Sequence, residues 1–146
     1  MPPQEPPDRL NVVLQAHRDK IIAEHARRLQ AEVPVFTSLP PVEIRRRSSL
    51  VVDWVLTSLS ERNVSILAQH LDAGIRRWMH EGFLIEAQIA ASQILEEIIT
   101  GVATPGLADD PATLASALRR VHSLGVMSRN VMSRINLSET VKKPPA

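Results

Sequence analysis

Residues Leu67–Gly101, LAQHLDAGIRRWMHEGFLIEAQIAASQILEEIITG, decide the fold. Two apolar stripes at helical spacing run through this region, one on each side of Glu81-Gly82-Phe83. At about 100° per residue, Val64, Leu67, Ala68, Leu71, Ile75, Trp78 and Met79 share one face, with Gln69, Asp72, Arg76 and His80 opposite. Beyond the hinge, Ala87, Ala91, Ile94, Leu95, Ile98 and Ile99 point inward, while Glu86, Gln93, Glu96 and Glu97 point outward. The spacing predicts helices over 63–81 and 84–100, with Gly101 ending the second. A Glu-Gly-Phe hinge reverses the chain in very few residues, so the two helices should pack as antiparallel neighbours.

Prolines punctuate the rest of the chain. They stand at positions 2, 3, 6 and 7, at 34, 40 and 41, at 105 and 111, and at 144 and 145. A first helix is predicted from Asp8, a candidate N-cap, to Glu32, with Leu10, Val13, Leu14, His17, Ile21, Ile22, His25 and Leu29 on one half of the wheel. A second opens at Pro40-Pro41 and ends near Glu61. Its polar face (Arg46, Ser49, Asp53, Thr57, Ser60) is narrow and Leu50, Val51, Val52, Trp54, Val55, Leu56 and Leu59 cover the remainder, so it is expected to be the central, most buried helix. The last begins near Pro111 behind Asp109-Asp110, whose charge suits a helix N-terminus. Along it Leu114, Ala117, Val121, Leu124, Ser128, Val131 and Ile135 repeat at 3–4 spacing, with Leu118, Gly125 and Met132 beside them and Arg119, Arg120, Arg129 and Arg134 away from the seam's centre. A narrow seam with a basic back is a coiled-coil pattern, although packing on its own domain is the alternative. Gly125 costs about 1 kcal/mol relative to Ala within a helix, which favours a helix held by partners. The expectation is all-α: about five helices in a bundle or globin-like arrangement, with a long C-terminal helix. Residues 1–7 are expected to form a disordered Pro-rich terminus, 8–138 a single helical domain and 139–146 a flexible tail.

Composition bounds the function. The 146-residue chain has no cysteine, which excludes disulfides, thiolate metal sites and cysteine nucleophiles. With no tyrosine, two tryptophans and two phenylalanines, the core must be aliphatic. A net charge of +1 supplies no strong field for nucleic acid or acidic membranes. No apolar run approaches the roughly 18 residues of a membrane span, and Met1-Pro2-Pro3 lacks signal-peptide character, so a cytoplasmic location is expected.

No catalytic or metal constellation emerges. His17 and His25 share a face eight residues apart, whereas two zinc ligands on one helix want a spacing of three or four. Structural histidines are the better reading, and no spacing distinguishes a haem ligand. His70, in QHLDAG, loosely evokes histidine phosphotransfer bundles, but Asp72 and Ala73 precede Gly74 where a Lys-Gly step is usual. Arg45-Arg46-Arg47-Ser48-Ser49 resembles a basophilic kinase site, yet it lies within a predicted helix and reads as a solvated face. Basic pairs recur at 27–28, 76–77 and 119–120 on different helices without interleaved aromatics, so nucleic-acid binding is not favoured. There is no GxSxG or SxxK sequence and no Gly-rich phosphate loop. The expectation is a non-enzyme without metal or resident cofactor.

The run HLDAGIRRWMHEGFLIEAQIAASQILEEII resembles the N-terminal sensory domain of RsbR-type (RsbT co-antagonist, RsbRD-like) regulators of bacterial stress signalling. Arg76, Gly82, Phe83, Leu84 and Glu86 occupy the places of that family's arginine-containing helix, Gly-Phe hinge and acid-headed aliphatic helix. The long first helix and the Glu-Ile-Arg-Arg-Arg start at 43–47 are compatible with it. The resemblance covers the organisation of residues 10–135 and is specific over about 25 of them. It implies a homodimeric, globin-like or bundle-type input domain whose last helix continues into an output module, commonly a STAS domain or a kinase, within a stressosome. Residues 112–138 would then be the signalling linker, with Leu114, Ala117, Val121, Leu124, Ser128, Val131 and Ile135 at the dimer interface. The chain departs from that pattern by ending at Lys142-Lys143-Pro144-Pro145-Ala146, so an excised sensor or a standalone relative is expected. Partners would be a second copy, an output domain or signalling protein, and an unidentified small ligand lodged beneath Trp54 and Trp78 with His17 or His25 as polar handles. A histidine phosphotransfer bundle and a haem- or tetrapyrrole-binding globin stand as alternatives.

Overall fold

The computed structural model describes residues 8–142, with only the backbone of Lys142, and the fold is an all-α helical bundle. Helices α1 (Arg9–Ala16) and α2 (Arg18–Glu32) lead through a 3₁₀ turn (Pro34–Ser38) to α3 (Pro41–Glu61). Then follow α4 (Val64–His80), α5 (Ile85–Gly106) and α6 (Pro111–Lys142). Contacts run α2 to α3, α3 to α4, α4 to α6, α6 to α5 and α5 back to α2, closing a five-membered ring. Helix α1 lies across α5 and α3. No helix among the described residues is long and apolar enough to cross a membrane.

The single first helix expected over 8–32 is two helices, broken at His17. There φ −111° and ψ 12° depart from helical values, and the His17 N–H bonds the Leu14 carbonyl at 3.1 Å. The Val13 carbonyl it would otherwise serve lies 2.8 Å from His17 Nδ1. The imidazole replaces the backbone donor, a side-chain competition with the helix ladder that lets the chain bend. Asp8 caps α1 through Asn11 N–H. Although burial opposes it, the Arg120 guanidinium holds the Asp8 carboxyl below its ordinary value, and Arg120 Nη2 also donates to the Leu59 carbonyl at 2.6 Å.

Both reversals flanking α4 are built by backbone geometry. Arg62 is left-handed (φ 51°), Asn63 N–H returns to the Ser58 carbonyl at 3.1 Å, and Asn63 Oδ1 then caps α4. At the second, Gly82 adopts φ 97° and Phe83 N–H reaches the Trp78 carbonyl at 2.9 Å. The turn lies where the Glu-Gly-Phe run predicts it, with Phe83 buried against Phe36 at 5.3 Å between ring centroids. Helices α4 and α5 do not pack as the antiparallel neighbours expected, however, because α6 lies between them and packs on both.

Three boundaries differ from the sequence reading. Helix α5 does not stop at Gly101; it continues over Pro105 to Gly106 because Ala103 and Leu107 are fully buried. A Cβ on Gly106 would come within 2.7 Å of Val13 Cγ1, so glycine permits α1 to rest on the end of α5. Helix α6 extends through residues 139–142, which were expected to be tail; residues 1–7 and 143–146 of the expected termini lie outside the described residues. Helix α3 is not the most buried element, since Leu50 faces solvent and Val51, Trp54 and Val55 are half-buried.

Two glycines provide a test. Gly82 has open space around it but a left-handed φ, so Gly82→Ala should destabilise by about 1 kcal/mol. Gly101 sits in an exposed helix interior with nothing near its Cα, so Gly101→Ala should stabilise by about 0.5–1 kcal/mol. Urea unfolding of both variants reads the difference; a destabilised Gly101→Ala would restore the helix end expected from sequence.

Candidate functional site

The ring encloses a cavity of about 70 Å³ whose wall takes residues from α2, α3, α4, α5 and α6. Most of the wall is aliphatic, including Leu71 and Ile75 of α4, Leu95 and Ile99 of α5, and Leu124 and Met132 of α6. Four aromatics in the chain leave the centre to branched aliphatics, and Phe36, Trp78 and Phe83 are all at its edge. Set into this lining are His25, Arg47, Ser48 and Gln88.

His25 is buried in α2 with both nitrogens engaged. Nε2 lies 3.0 Å from the Ala91 carbonyl, which can only accept, so Nε2 carries the proton. Nδ1 therefore accepts from the Ser48 hydroxyl at 2.7 Å, for which the Ile22 carbonyl at 3.3 Å is a longer second acceptor. Burial pushes the imidazole down to about 4, against the favourable Ala91 contact. Ser48 and His25 thus form a closed structural link between α2, α3 and α5, with no carboxylate hydrogen-bonded to the ring and the serine sealed from solvent.

Arg47 stands apart from its neighbours. Arg45 and Arg46 are exposed, as a solvated basic face requires, but Arg47 turns inward with only 11% of its side chain exposed. Its Cζ sits 4.6 Å from the Phe83 ring centroid and 5.6 Å from that of Trp78. Nε donates to Glu43 Oε1 at 3.0 Å and Nη2 to Glu81 Oε2 at 2.6 Å. A hydrogen bond from Arg46, then one from Arg47, holds the Glu43 carboxyl down to about 2. Arg47 Nη1 is buried and has no protein partner. Gln88, one turn into α5, donates from Nε2 to the Phe83 carbonyl at 3.0 Å, which fixes its amide orientation and leaves Oε1 buried without a protein partner.

The residues singled out by sequence divide. His25 and Trp78 line the cavity; His17 and Trp54 do not. His17 is spent on the α1–α2 break, and Trp54 stacks outside on His70 at 5.0 Å and on Trp78 at 6.1 Å. Gly74 makes room for Trp54, since a Cβ there would lie 3.1 Å from its Cη2. His70 is exposed, with one ring face on that indole. Among the described residues no group of three or more His, Asp or Glu is placed to hold a metal.

The seam assigned to a dimer is occupied within the chain. Ala117, Val121, Leu124, Ser128, Val131 and Ile135 are buried and Leu114 half-buried, packed with the core that α4 and α5 share with α6. The coiled-coil spacing is that of an ordinary amphipathic helix whose apolar side closes the ring. Gly125 has a local reason: a Cβ there would collide with Glu96 Oε1, so its absence lets Glu96 lie against α6 and pair with Arg129 at 3.1 Å and His122 at 3.2 Å. Arg47, Ser48 and Gln88 were missed as lining residues. Gln88 carried a signal, because it shares the Ala91, Leu95 and Ile99 stripe.

Comparison with protein-family models, with curated proteins and with solved structures finds no match for this chain.

Two measurements check this description. An unfolded histidine takes up its proton near pH 6.5, whereas folded His25 resists until about 4. Stability should therefore be full above pH 6.5 and fall as pH drops from 6.5 to 4, by on the order of 3 kcal/mol. His25→Gln should flatten that dependence; an unchanged slope would mean that His25 is not held neutral. Arg47→Ala should destabilise by about 2 kcal/mol through lost contact with two rings and an unpaired Glu81, while Arg46→Ala should leave the urea midpoint near wild type.

Proposed function

We propose that the chain is a non-enzymatic signal-input module that couples occupancy of its central cavity to the position of α6. The observation that carries this reading is that α6 supplies Val121, Leu124, Gly125, Ser128 and Met132 to the cavity wall and continues beyond it to Lys142. An occupant that fits one arrangement of the ring better than another shifts the population toward it. Helix shifts of about 1–2 Å at such packed surfaces are an ordinary output. The resemblance of the α4–α5 hairpin to RsbR-type sensory domains supports the same class: a cytoplasmic stress-signalling module acting on an output domain or signalling protein.

Homodimerisation belongs to this proposal through a different face from the seam. Val126, Leu137 and Val141 are exposed and fall within about 60° of one another on α6, leaving that outer stripe for a second copy. A tetrapyrrole is disfavoured because a 70 Å³ cavity is far below the several hundred Å³ that drug-sized ligands occupy, and both His25 nitrogens are taken.

The absence of cysteine makes the mechanical test direct. Spin labels at Val42→Cys and Arg134→Cys, both exposed and outside the outer α6 stripe, would report the separation of α3 and the far half of α6. Saturating 1-butanol should shift that distance by about 1–2 Å; a bound probe with an unchanged distance distribution would remove the coupling. Sedimentation of wild type against Val126→Glu/Leu137→Glu tests the stripe: dimer against monomer at micromolar concentration is expected, and a monomeric wild type would discard it.

A further inference from the structure

Most polar side chains on the cavity wall are committed, the half-buried Ser92 hydroxyl aside. Both His25 nitrogens and the Ser48 hydroxyl bond one another or backbone. Ser128 Oγ returns to the Leu124 carbonyl at 2.8 Å, and the Glu96 carboxylate faces Arg129 and His122. Two atoms remain buried and unpartnered by protein on residues that line the cavity: Gln88 Oε1 and Arg47 Nη1. Both belong to side chains anchored on Phe83, Gln88 through its carbonyl at 3.0 Å and Arg47 above its ring at 4.6 Å. Gln88 is 96% buried, and the bond to Phe83 leaves its amide no freedom to exchange oxygen for nitrogen.

We propose that the cavity selects a small aliphatic molecule ending in one hydroxyl group, recognised by Gln88 Oε1 as acceptor and Arg47 Nη1 as donor. This inference rests on the sensor reading above and names its ligand class. Gln88 Oε1 needs a donor and Arg47 Nη1 an acceptor, and a hydroxyl is both. A carboxylate would leave Gln88 Oε1 facing lone pairs, and an ammonium would face the Arg47 cation with no acceptor to offer. The charge around the head is balanced, since Arg46 and Arg47 face Glu43 and Glu81, so no surplus positive charge holds an anion. The remaining wall is mostly apolar, aliphatic with Phe36, Trp78 and Phe83, and asks for a hydrocarbon tail. At about 70 Å³ it is smaller than the ~150 Å³ cavity that takes benzene, which limits that tail to a short chain.

The test titrates the full chain with 1-butanol, 1-chlorobutane, butyrate and butylammonium while following the Gln88 side-chain amide and Arg47 guanidinium resonances by nitrogen-15 NMR. The alcohol should shift both signals in wild type; butyrate and butylammonium should not. Gln88→Leu should move the preference at least tenfold from the alcohol toward 1-chlorobutane. If that variant does not unfold cooperatively, the wild-type comparison of the four probes decides alone. Entry of 1-chlorobutane with no Gln88 or Arg47 response to 1-butanol would overturn the head-group assignment and leave the sensor reading standing. If no probe perturbs any lining residue, the cavity holds water only, and both fall together.

Discussion

Closing five helices into a ring is the constraint on which the rest of this structure depends. A ring has a centre, and side chains entering from five directions must fill it. With an almost wholly aliphatic repertoire, they do so incompletely, leaving about 70 Å³. Closure rests on α6, which packs on both α4 and α5, while the turn at 81–84 redirects the chain so that α5 lies beside α2. Phe83 is the knot of that reversal. Its backbone is bound on both sides, by Trp78 and by Gln88, and its ring carries the Arg47 guanidinium. The polar groups in the interior are consequences of making this turn and of tying α2 to α3 and α5 through His25 and Ser48.

The sequence discloses the parts of this arrangement that depend on local periodicity. Apolar stripes on α4, α5 and the two halves of the first helical segment are visible in single residues, as are the Pro41 and Asp110 starts and the Gly82 hinge. The misread features each involve an interaction that wheel periodicity does not encode. At His17, an imidazole that satisfies Val13 ends a helix whose wheel pattern runs on unbroken. At Gly101, burial of Ala103 and Leu107 outweighs the glycine's weak propensity. The α6 seam is indistinguishable by spacing from a dimer seam, because the same stripe serves a partner helix in the chain or in another copy. In Arg45-Arg46-Arg47, three identical residues have two different fates that only the positions of Phe83 and Trp78 separate. The cavity itself was not legible, since a void is a property of how five faces meet.

These features have an energetic implication. A cavity of this size costs about 2 kcal/mol at ~24 cal/mol per Å³, and each buried polar atom without a partner adds about 1–3 kcal/mol. Set against a typical total of ~5–15 kcal/mol, that is a substantial fraction of the stability of a domain. Aliphatic residues at 88 and 128 would reduce it, so the present side chains are a departure from the best-packed core. Such departures concentrate where a protein does something other than fold.

Any free energy recovered by filling the centre must act on the wall that yields most easily. Helices α2 and α3 are fastened by the His25–Ser48 link and by Arg18 gripping Asp53 at 2.7 and 2.8 Å. Helices α4 and α5 are fastened by the hinge. Helix α6 is pinned near its start by Arg120 on Asp8 and the Leu59 carbonyl. Farther along, ion pairs to other helices include Arg129–Glu96, His122–Glu96 and Glu139–Arg76. Its apolar wall residues Val121, Leu124 and Met132 also hold that helix in place, and they are the residues an occupant would touch. In the proposed mechanism, a helix anchored near its start and touched by the occupant along its wall would pivot about that anchor and carry the displacement toward residue 142.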